Sequence, residues 1–206
     1  SQFIAVELSS VYHDVIKDRL YTDPANSPRR RSTQTALHRL VTGLCQMLSP
    51  ILAFTADEAW EFVPGRPTGS VHEAARKSTV FPRSDAEISA WNGLFALRER
   101  LLPELEKARQ AKTIGKSLEA RVILHGSDPL LVDAKTHLES FRELTNVSQL
   151  EVESDGEGVV PVEVVRADAQ KGEPCWHWET DLGEDAKHPA LCGRCVEAVK
   201  QNLAAS

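Results

Sequence analysis

Apolar residues recur at three- and four-residue intervals through the first half of the chain, and this helical spacing is the strongest constraint on the fold. It predicts a helix over residues 3–20 with one apolar face. Ser27 followed by Pro28 predicts the capped start of a second helix, which ends before Pro50. Thr55–Glu58 has the capping-box pattern of a third, short helix. The first part of the chain is therefore predicted to be a helical bundle.

A long fourth helix is predicted after a connecting loop. Residues 64–84 are rich in Pro, Gly and Ser, which is typical of a loop. Ser84–Glu87 is a second capping-box pattern, and it predicts the start of a helix whose apolar face extends to Ala108. Pro103 predicts a kink in this helix, and Gly115 predicts its end.

After the long helix the pattern changes from helical spacing to short alternating runs. Arg121–Leu124, Val147–Val152 and Val160–Val165 are predicted strands, and a helix is predicted from Asp128. Asp155–Gly158 predicts a hairpin turn between the last two strands. The chain is therefore predicted to be α+β: mainly a helical bundle, followed by a small α+β subdomain of strands and a helix.

Composition excludes several classes of protein. The chain has 206 residues and a net charge of −6, so bulk charge gives no support for nucleic-acid binding unless the cations are clustered. No run approaches the ~20 apolar residues that cross a membrane, and residues 1–10 lack the pattern of a signal peptide. The P-loop, dinucleotide-binding and nucleophile-elbow motifs are absent, so no catalytic residues are predicted. We expect a cytoplasmic protein without membrane contact.

The strongest chemical signal is a group of cysteines near the end of the chain. Cys192 and Cys195 form a C-x2-C pair with a glycine inside it, and Cys175 lies upstream. In a chain with no secretory signal, this pattern predicts a zinc site rather than disulfides. A structural zinc site has four ligands, and the candidates for the fourth are His177 and His188, of which we favour His188. The alternative is a cysteine-bearing loop that has lost its metal.

Three consecutive arginines, Arg29, Arg30 and Arg31, fall in the first turns of the second predicted helix. The helix macrodipole is positive at this end, so cations there are placed unfavourably. Cations placed against the dipole indicate a functional role, and our hypothesis is that these arginines contact nucleic-acid phosphates. The alternative is a solvated helix end.

A second basic group and an aromatic residue add to this hypothesis. Lys112 and Lys116 are one helical turn apart and are predicted to share a face. Trp176 follows Cys175 directly, and an exposed aromatic ring beside a metal knuckle can stack on an unpaired base. The alternative is that Trp176 and Trp178 form the small core of the cysteine module, and we expect this of at least one of them.

Three stretches of the sequence resemble the anticodon-binding domain of class Ia aminoacyl-tRNA synthetases: Ile16–Tyr21, Arg31–Leu37 and Leu48–Trp60. Lys107–Ala120 is similar to isoleucyl-tRNA synthetases in particular. Cys175–Trp178, together with Leu191–Cys195, resembles the C-terminal zinc module of that family. The motifs follow the family's order and cover nearly the whole chain.

The sequence departs from the family's pattern in the cysteine module. The family's module usually begins with C-x2-C-W, and Gly172 occupies the position of the first cysteine here. The zinc ligands that the resemblance carries over are therefore Cys175, Cys192 and Cys195. The family's catalytic domain, its ATP-binding signatures and its editing insertion have no counterpart in this chain.

The resemblance implies three segments: residues 1–83 as part of an anticodon-binding helical bundle, 84–168 as a long helix with a small α+β subdomain, and 169–206 as a zinc-ribbon-like tail. It implies that the chain binds the anticodon arm of isoleucine tRNA within a monomeric synthetase that joins isoleucine to that tRNA. ATP and magnesium would then belong to the full-length enzyme, whose N-terminal catalytic domain is a further partner. This chain alone would be inactive, and the absence of an initiating Met also indicates a fragment.

Three alternatives stay open. One is a stand-alone RNA-binding or regulatory protein with a borrowed anticodon domain. Another is a zinc-ribbon module for protein interaction, for which neutralising the arginine run would leave tRNA binding unchanged. The third is the same region of a valyl-tRNA synthetase, against which the cysteine tail argues.

Overall fold

The computed structural model of the protein describes residues 2–75, 81–153 and 161–204. The chain divides into two compact units. The large unit contains residues 1–24 and 83–206, and the small unit contains residues 25–82. The first helix thus groups with the second half of the chain. The three segments that the sequence predicts have other boundaries and stay a prediction.

The small unit is built on two helices, α2 (Pro28–Leu48) and α3 (Ala53–Glu61), with a short 3-10 turn at Val71–Glu73. The start of α2 is confirmed as predicted. Ser27 caps it, since the Ser27 hydroxyl accepts a hydrogen bond from the backbone N–H of Arg30 at 3.3 Å. The contact between Ser27 and Arg30 therefore fixes where this helix begins.

The capping box predicted for α3 is wrong. The helix begins at Ala53, earlier than the pattern indicates, and no side chain caps it. Asp57 instead accepts hydrogen bonds from the Ser70 hydroxyl (2.7 Å) and the Val71 backbone N–H (2.8 Å). This contact ties α3 to the following loop and closes a small core around Trp60, whose side chain is fully buried.

The large unit begins with one continuous helix, as predicted for residues 3–20. Phe3–Tyr12 has the wider hydrogen-bond spacing of a π-helix, and α1 (His13–Tyr21) continues as an α-helix. Ile16 on α1 is buried, whereas Tyr21 is 82% exposed. One face of α1 therefore packs on the unit and another is open to solvent.

The predicted capping box of the long helix, α4 (Asp85–Gln110), is confirmed. The Ser84 hydroxyl accepts the Glu87 backbone N–H at 3.2 Å, and the Glu87 carboxylate accepts the Ser84 backbone N–H at 2.9 Å. Pro103 lies inside the helix without ending it.

The predicted end of α4 at Gly115 is wrong. The helix ends at Gln110, and Lys112 adopts the left-handed conformation (φ 59°) that closes many helices. Because the chain leaves the helix here, Lys112 and Lys116 do not share a helix face as predicted.

A small mixed sheet follows with its two connecting helices: β1 (Ala120–His125), α5 (Pro129–Thr136), α6 (Leu138–Thr145), β2 (Gln149–Glu153) and β3 (Val162–Arg166). β1 lies in the centre, parallel to β2 and antiparallel to β3. The helices α5 and α6 form the crossover that a parallel pair requires. The predicted pairing of β2 with β3 in a hairpin is therefore wrong, and its turn at residues 155–158 lies outside the described residues.

The core of the large unit lies between α4, α5, α6 and the sheet. It contains buried apolar side chains from each of these elements, among them Leu94, Leu101, Leu105, Val122, Leu124, Leu131, Phe141 and Leu150. Each helix in the described part of the chain is too short or too polar to cross a membrane.

The tail consists of a two-stranded hairpin and a helix: β4 (Gln170–Lys171), β5 (Trp178–Glu179) and α7 (Gly193–Ala204). Ser148 joins the hairpin to the sheet, since its hydroxyl accepts the Trp178 backbone N–H at 2.8 Å and donates to the Leu118 carbonyl at 2.5 Å. The predicted fold class, α+β with helices first, a small α+β part and a cysteine-bearing tail, is confirmed.

Candidate metal centre and nucleic-acid interface

A tight loop between β4 and β5 holds the first cysteine. The Gly172 N–H donates to the His177 carbonyl at 2.8 Å, and the Trp176 N–H donates to the Gly172 carbonyl at 3.0 Å. Trp176 has a positive φ of 62°, which is uncommon for a bulky side chain. This loop buries Cys175 and leaves Trp176 59% exposed.

The second loop opens α7 and supplies two more cysteines. The carbonyl of Cys192 accepts the Val196 backbone N–H at 3.0 Å, which starts the helix and places Cys195 within its first turn. All three cysteines are free and buried, and their Sγ atoms lie within 4.8 Å of one another. The structure thus brings Cys175, Cys192 and Cys195 into one group.

The spacing of these thiols fits a metal ion. The Sγ atoms of Cys175 and Cys192 are 3.9 Å apart. Two thiolates at about 2.3 Å from one zinc ion, with tetrahedral angles, are about 3.8 Å apart. The donor set therefore suits a thiophilic cation, and the group could bind a metal.

Hydrogen bonding within the group also favours a cation. The hydrogen bond from the Cys195 thiol lowers the pKa of Cys175 to about 6, although burial works in the opposite direction. The same hydrogen bond raises the pKa of Cys195, and burial raises the pKa of Cys192. One thiolate at neutral pH is thus favoured without a cation, and a divalent cation would displace the other protons.

The fourth ligand predicted from the sequence is not brought into this group. Among the described residues, no histidine or carboxylate has a ligand atom within 4.8 Å of all three thiols. His188 lies in a turn, where its N–H donates to the Asp185 carbonyl (2.9 Å) and its carbonyl accepts the Leu191 N–H (3.0 Å). Its role as a metal ligand stays a prediction.

An ion pair fixes the second cysteine loop against α1. The Arg194 guanidinium donates to both carboxylate oxygens of Asp18, at 2.7 Å for Nη2, and lies 3.6 Å from Asp23. Burial acts to raise the pKa of Asp18, but the hydrogen bonds and charge of Arg194 outweigh it and hold this pKa below its usual value. The His177 imidazole, 3.8 Å from Asp18, has its pKa lowered to about 4, mainly by burial. The loops and α1 therefore pack around a charged pair and a neutral histidine.

A cavity of about 560 Å³ opens between α1 and the first cysteine loop, and we call it the α1 cavity. Its lining comes from α1, from the end of α6, and from the segments Lys116–Leu118 and Pro174–His177. Trp176 and Tyr21 both line it and are both exposed. Exposed aromatic rings beside a cavity offer faces on which planar bases can stack.

Cations lie around the same cavity. Lys116 and Lys17 line it, and Lys17 is paired with Asp14 at 2.9 Å. The ammonium nitrogen of Lys171 is 5.6 Å from the centre of the Trp176 ring. The structure thus brings Lys116 and Trp176, both predicted from the sequence, to one cavity, whereas the exposed Lys112 is outside its lining.

The predicted arginine run lies in the small unit, in the first turn of α2. Arg31 is exposed, and Arg29 and Arg30 are half-buried. The Arg29 carbonyl accepts the Thr33 hydroxyl at 2.9 Å, so this helix start is held by local hydrogen bonds. The run therefore offers one exposed arginine and two partly buried ones.

Sequence reasoning missed three residues of the α1 cavity region. Tyr21 ends one of the stretches that carry the family resemblance, and that was the signal that could have found it. Lys17 lies in the same stretch and shared that signal, whereas Lys171 is far from the others in the sequence and joins them only in three dimensions. Trp178 differs from the exposed Trp176. It is half-buried, and the Arg166 guanidinium lies 5.1 Å from the centre of its ring.

Comparison with known proteins identifies the class to which this fold and site belong. The family model described as the anticodon-binding domain of tRNA ligase matches residues 1–124. The chain belongs to this family.

Three similar proteins are isoleucine–tRNA ligases, which form one branch of this family. The chain is 40% identical over 204 residues to the isoleucine–tRNA ligase of Exiguobacterium sibiricum, covering 96% of this chain and 22% of that protein. It is also 40% identical to those of Gloeobacter violaceus (211 residues; 96% and 21%) and Syntrophotalea carbinolica (208 residues; 94% and 22%). The chain spans about a fifth of the length of these curated relatives. The resemblance to isoleucyl-tRNA synthetases is confirmed.

Proposed function

We propose that this chain is the tRNA-binding part of an isoleucine–tRNA ligase and that it holds the anticodon arm of isoleucine tRNA. The observation that carries the proposal is that the exposed Trp176 and Lys116 both line the α1 cavity, in a chain of an anticodon-binding family. We propose isoleucine as the amino acid because the similar proteins are named isoleucine–tRNA ligases.

Two kinds of contact would contribute to tRNA binding. Lysine and arginine side chains hold phosphates with an affinity that depends on salt but not on sequence, and Lys116, Lys112 and the Arg29–Arg31 run are suited to this. Unpaired anticodon bases expose their faces and edges, so a stacking surface at Trp176 supports a choice among tRNAs.

We propose zinc as the ion of the cysteine group. Zinc would be held by Cys175, Cys192 and Cys195, and it would join the two loops as a structural cross-link. Trp176 directly follows Cys175, so fixing that loop would also fix the direction of the indole ring. The sequence predicted His188 as the fourth ligand, but among the described residues no histidine has a ligand atom within 4.8 Å of all three thiols, so we propose only the three cysteines as protein ligands.

Amino-acid activation with ATP and magnesium is proposed for the part of the ligase that this chain does not span. The purified chain should therefore show no isoleucine-dependent pyrophosphate exchange. We place the ligase in the cytoplasm as a monomer, which sedimentation of the full-length protein would check.

Binding of isoleucine tRNA to the purified chain tests the proposal. We expect saturable binding that weakens as salt increases, and Lys116→Ala should reduce the salt slope by about 0.7 to 0.9. Lys135→Ala is the matched control, since Lys135 is also exposed but lies on α5 away from the α1 cavity, and it should leave the slope unchanged. No binding even at low salt would overturn the proposal.

A further inference from the structure

The two cysteine loops share a spacing but differ in their number of thiols. In the loop that opens α7, both positions of the i, i+3 pair are cysteines, Cys192 and Cys195. In the loop between β4 and β5, the second position is Cys175 and the first is Gly172. Gly172 is buried, and a Cβ atom built on it would lie 2.9 Å from the Sγ of Cys175. Position 172 therefore lies directly against the Cys175 thiol of the group.

The space next to Gly172 is small and partly polar. The same Cβ position lies 3.6 Å from the His177 carbonyl oxygen and 3.6 Å from Cδ1 of Leu182. Within the described ranges, no histidine or carboxylate places a ligand atom within 4.8 Å of all three thiols. At 2.9 Å from the Sγ of Cys175 even a methyl carbon is too close, so a side chain at position 172 fits only if the Cys175 thiol shifts. Glycine therefore leaves this edge of the thiol group without a protein ligand, and the His177 carbonyl can accept a hydrogen bond from a water molecule bound there.

We propose that the metal ion held by Cys175, Cys192 and Cys195 keeps an exchangeable fourth ligand at the position that Gly172 leaves open. The ligand is a water molecule or a small anion. Zinc sites with four protein ligands are closed, whereas those with three keep one open position. In the exchange, the bound water leaves as free water and the anion forms the new bond to the metal, with no change in oxidation state. The inference rests on the proposed metal centre and not on tRNA binding.

Cobalt(II) is the probe for this position because its visible absorption reports its ligands. The intact chain is loaded with Co²⁺ and titrated with azide, and metal analysis afterwards checks that cobalt stays bound. We expect a saturable change in the visible ligand-field bands of the wild-type protein. An absence of any azide-dependent change, with cobalt retained, would overturn the inference.

Gly172→Cys tests the position itself. A thiol at residue 172 should complete a four-thiolate site, so the azide response should vanish, the sulfur-to-cobalt charge-transfer absorption should increase, and the metal should be held about tenfold tighter or more. Gly172→Ala adds the same Cβ without a thiol, and it should gain neither the absorption nor the affinity. If Gly172→Cys keeps the wild-type azide response while folded, the fourth position lies elsewhere and the inference is wrong.

His188→Ala separates the inference from the predicted histidine ligand. We expect the spectrum and azide response of His188→Ala to match those of the wild type. A response that appears only after this substitution would identify His188 as the fourth ligand and refute the open position. Failure of the wild-type chain to bind cobalt or zinc at all would overturn the metal centre together with this inference, while leaving the tRNA test to decide the function.

Discussion

The two units of the molecule offer cations to an anionic partner in different ways. In the small unit, Arg29–Arg31 occupy the first turn of α2, where a helix offers a phosphate its backbone dipole as well as the side chains. In the large unit, Lys116 lies at the α1 cavity with Trp176 and Tyr21. The first arrangement can hold phosphates, and the second can also hold a base. Under the proposed function, both units would contribute salt-dependent affinity, and the large unit would contribute the choice among tRNAs.

The position of Trp176 depends on contacts in the cysteine-bearing tail, whereas the arginine run lies in the small unit. Trp176 is placed by a loop whose cysteine belongs to the thiol group, and the other cysteine loop is held to α1 by the pair of Arg194 with Asp18. The arginines lie in the small unit, at a helix start that Ser27 caps. Perturbing the tail should therefore affect base recognition much more than phosphate binding.

The largest effect is expected from Asp18→Asn. It leaves the Arg194 guanidinium without its main carboxylate, and removing one partner of a buried pair costs about 3–5 kcal/mol. Arg194 keeps 32% of its side chain exposed, so we expect a smaller loss of about 2–3 kcal/mol in the free energy of unfolding, measured by urea denaturation. Glu106→Gln, which breaks the exposed pair with Arg109, is the control and should cost less than about 0.5 kcal/mol. Equal losses in the two variants would show that the Asp18 pair does not hold the tail.

Trp176→Ala should weaken binding of isoleucine tRNA by about 5- to 150-fold, since stacking on an aromatic ring contributes about 1–3 kcal/mol per base. The salt slope should stay the same because no phosphate contact is lost. Trp91→Ala is a matched control: Trp91 is 44% exposed but packs beside Phe95 on α4. A loss of similar size in Trp91→Ala would remove the special role of the α1 cavity.

Replacing Arg29, Arg30 and Arg31 together by alanine should reduce the salt slope of tRNA binding by about 2 to 3. The ratio of affinities for different tRNAs should be unchanged, because phosphates carry no sequence information. The triple lysine variant keeps the charges and should keep the slope. An unchanged slope in the alanine variant would show that the run is a solvated helix end.

The smallest effect is expected at Lys112. Its positive φ strains a lysine but not a glycine, so Lys112→Gly should stabilise the chain by about 0.5–1 kcal/mol in thermal or urea unfolding. If Lys112 also contacts a phosphate, the same variant should lower the salt slope by about one. Greater stability with an unchanged slope would remove Lys112 from the interface.

Two helix starts that depend on neighbouring residues were predicted correctly from the sequence. Ser27 and Ser84 cap their helices through contacts within three residues, so their patterns could be read directly. β2 and β3 each pair with β1 and not with each other, and the sequence pattern led to the wrong partner. The capping box at Thr55–Glu58 was wrong because α3 already begins at Ala53. The contacts of Asp57 with Ser70 and Val71 in a later loop were not predicted.

The sequence predicted which residue types form the candidate site, but not the contacts that hold its loops in place. The spacing of Cys192 and Cys195 predicted the thiol group, and the position of Trp176 beside Cys175 predicted a stacking surface. The pair of Arg194 with Asp18 joins residues separated by 176 positions, and no sequence pattern links them.

The most direct test of the central claim compares the binding of the purified chain to isoleucine tRNA and to a valine tRNA at the same salt concentration. We predict at least about tenfold tighter binding of isoleucine tRNA, which is about 1.4 kcal/mol, with most of this preference lost in Trp176→Ala. Equal affinity of the wild-type chain for the two tRNAs would contradict the claim that this chain helps to choose isoleucine tRNA.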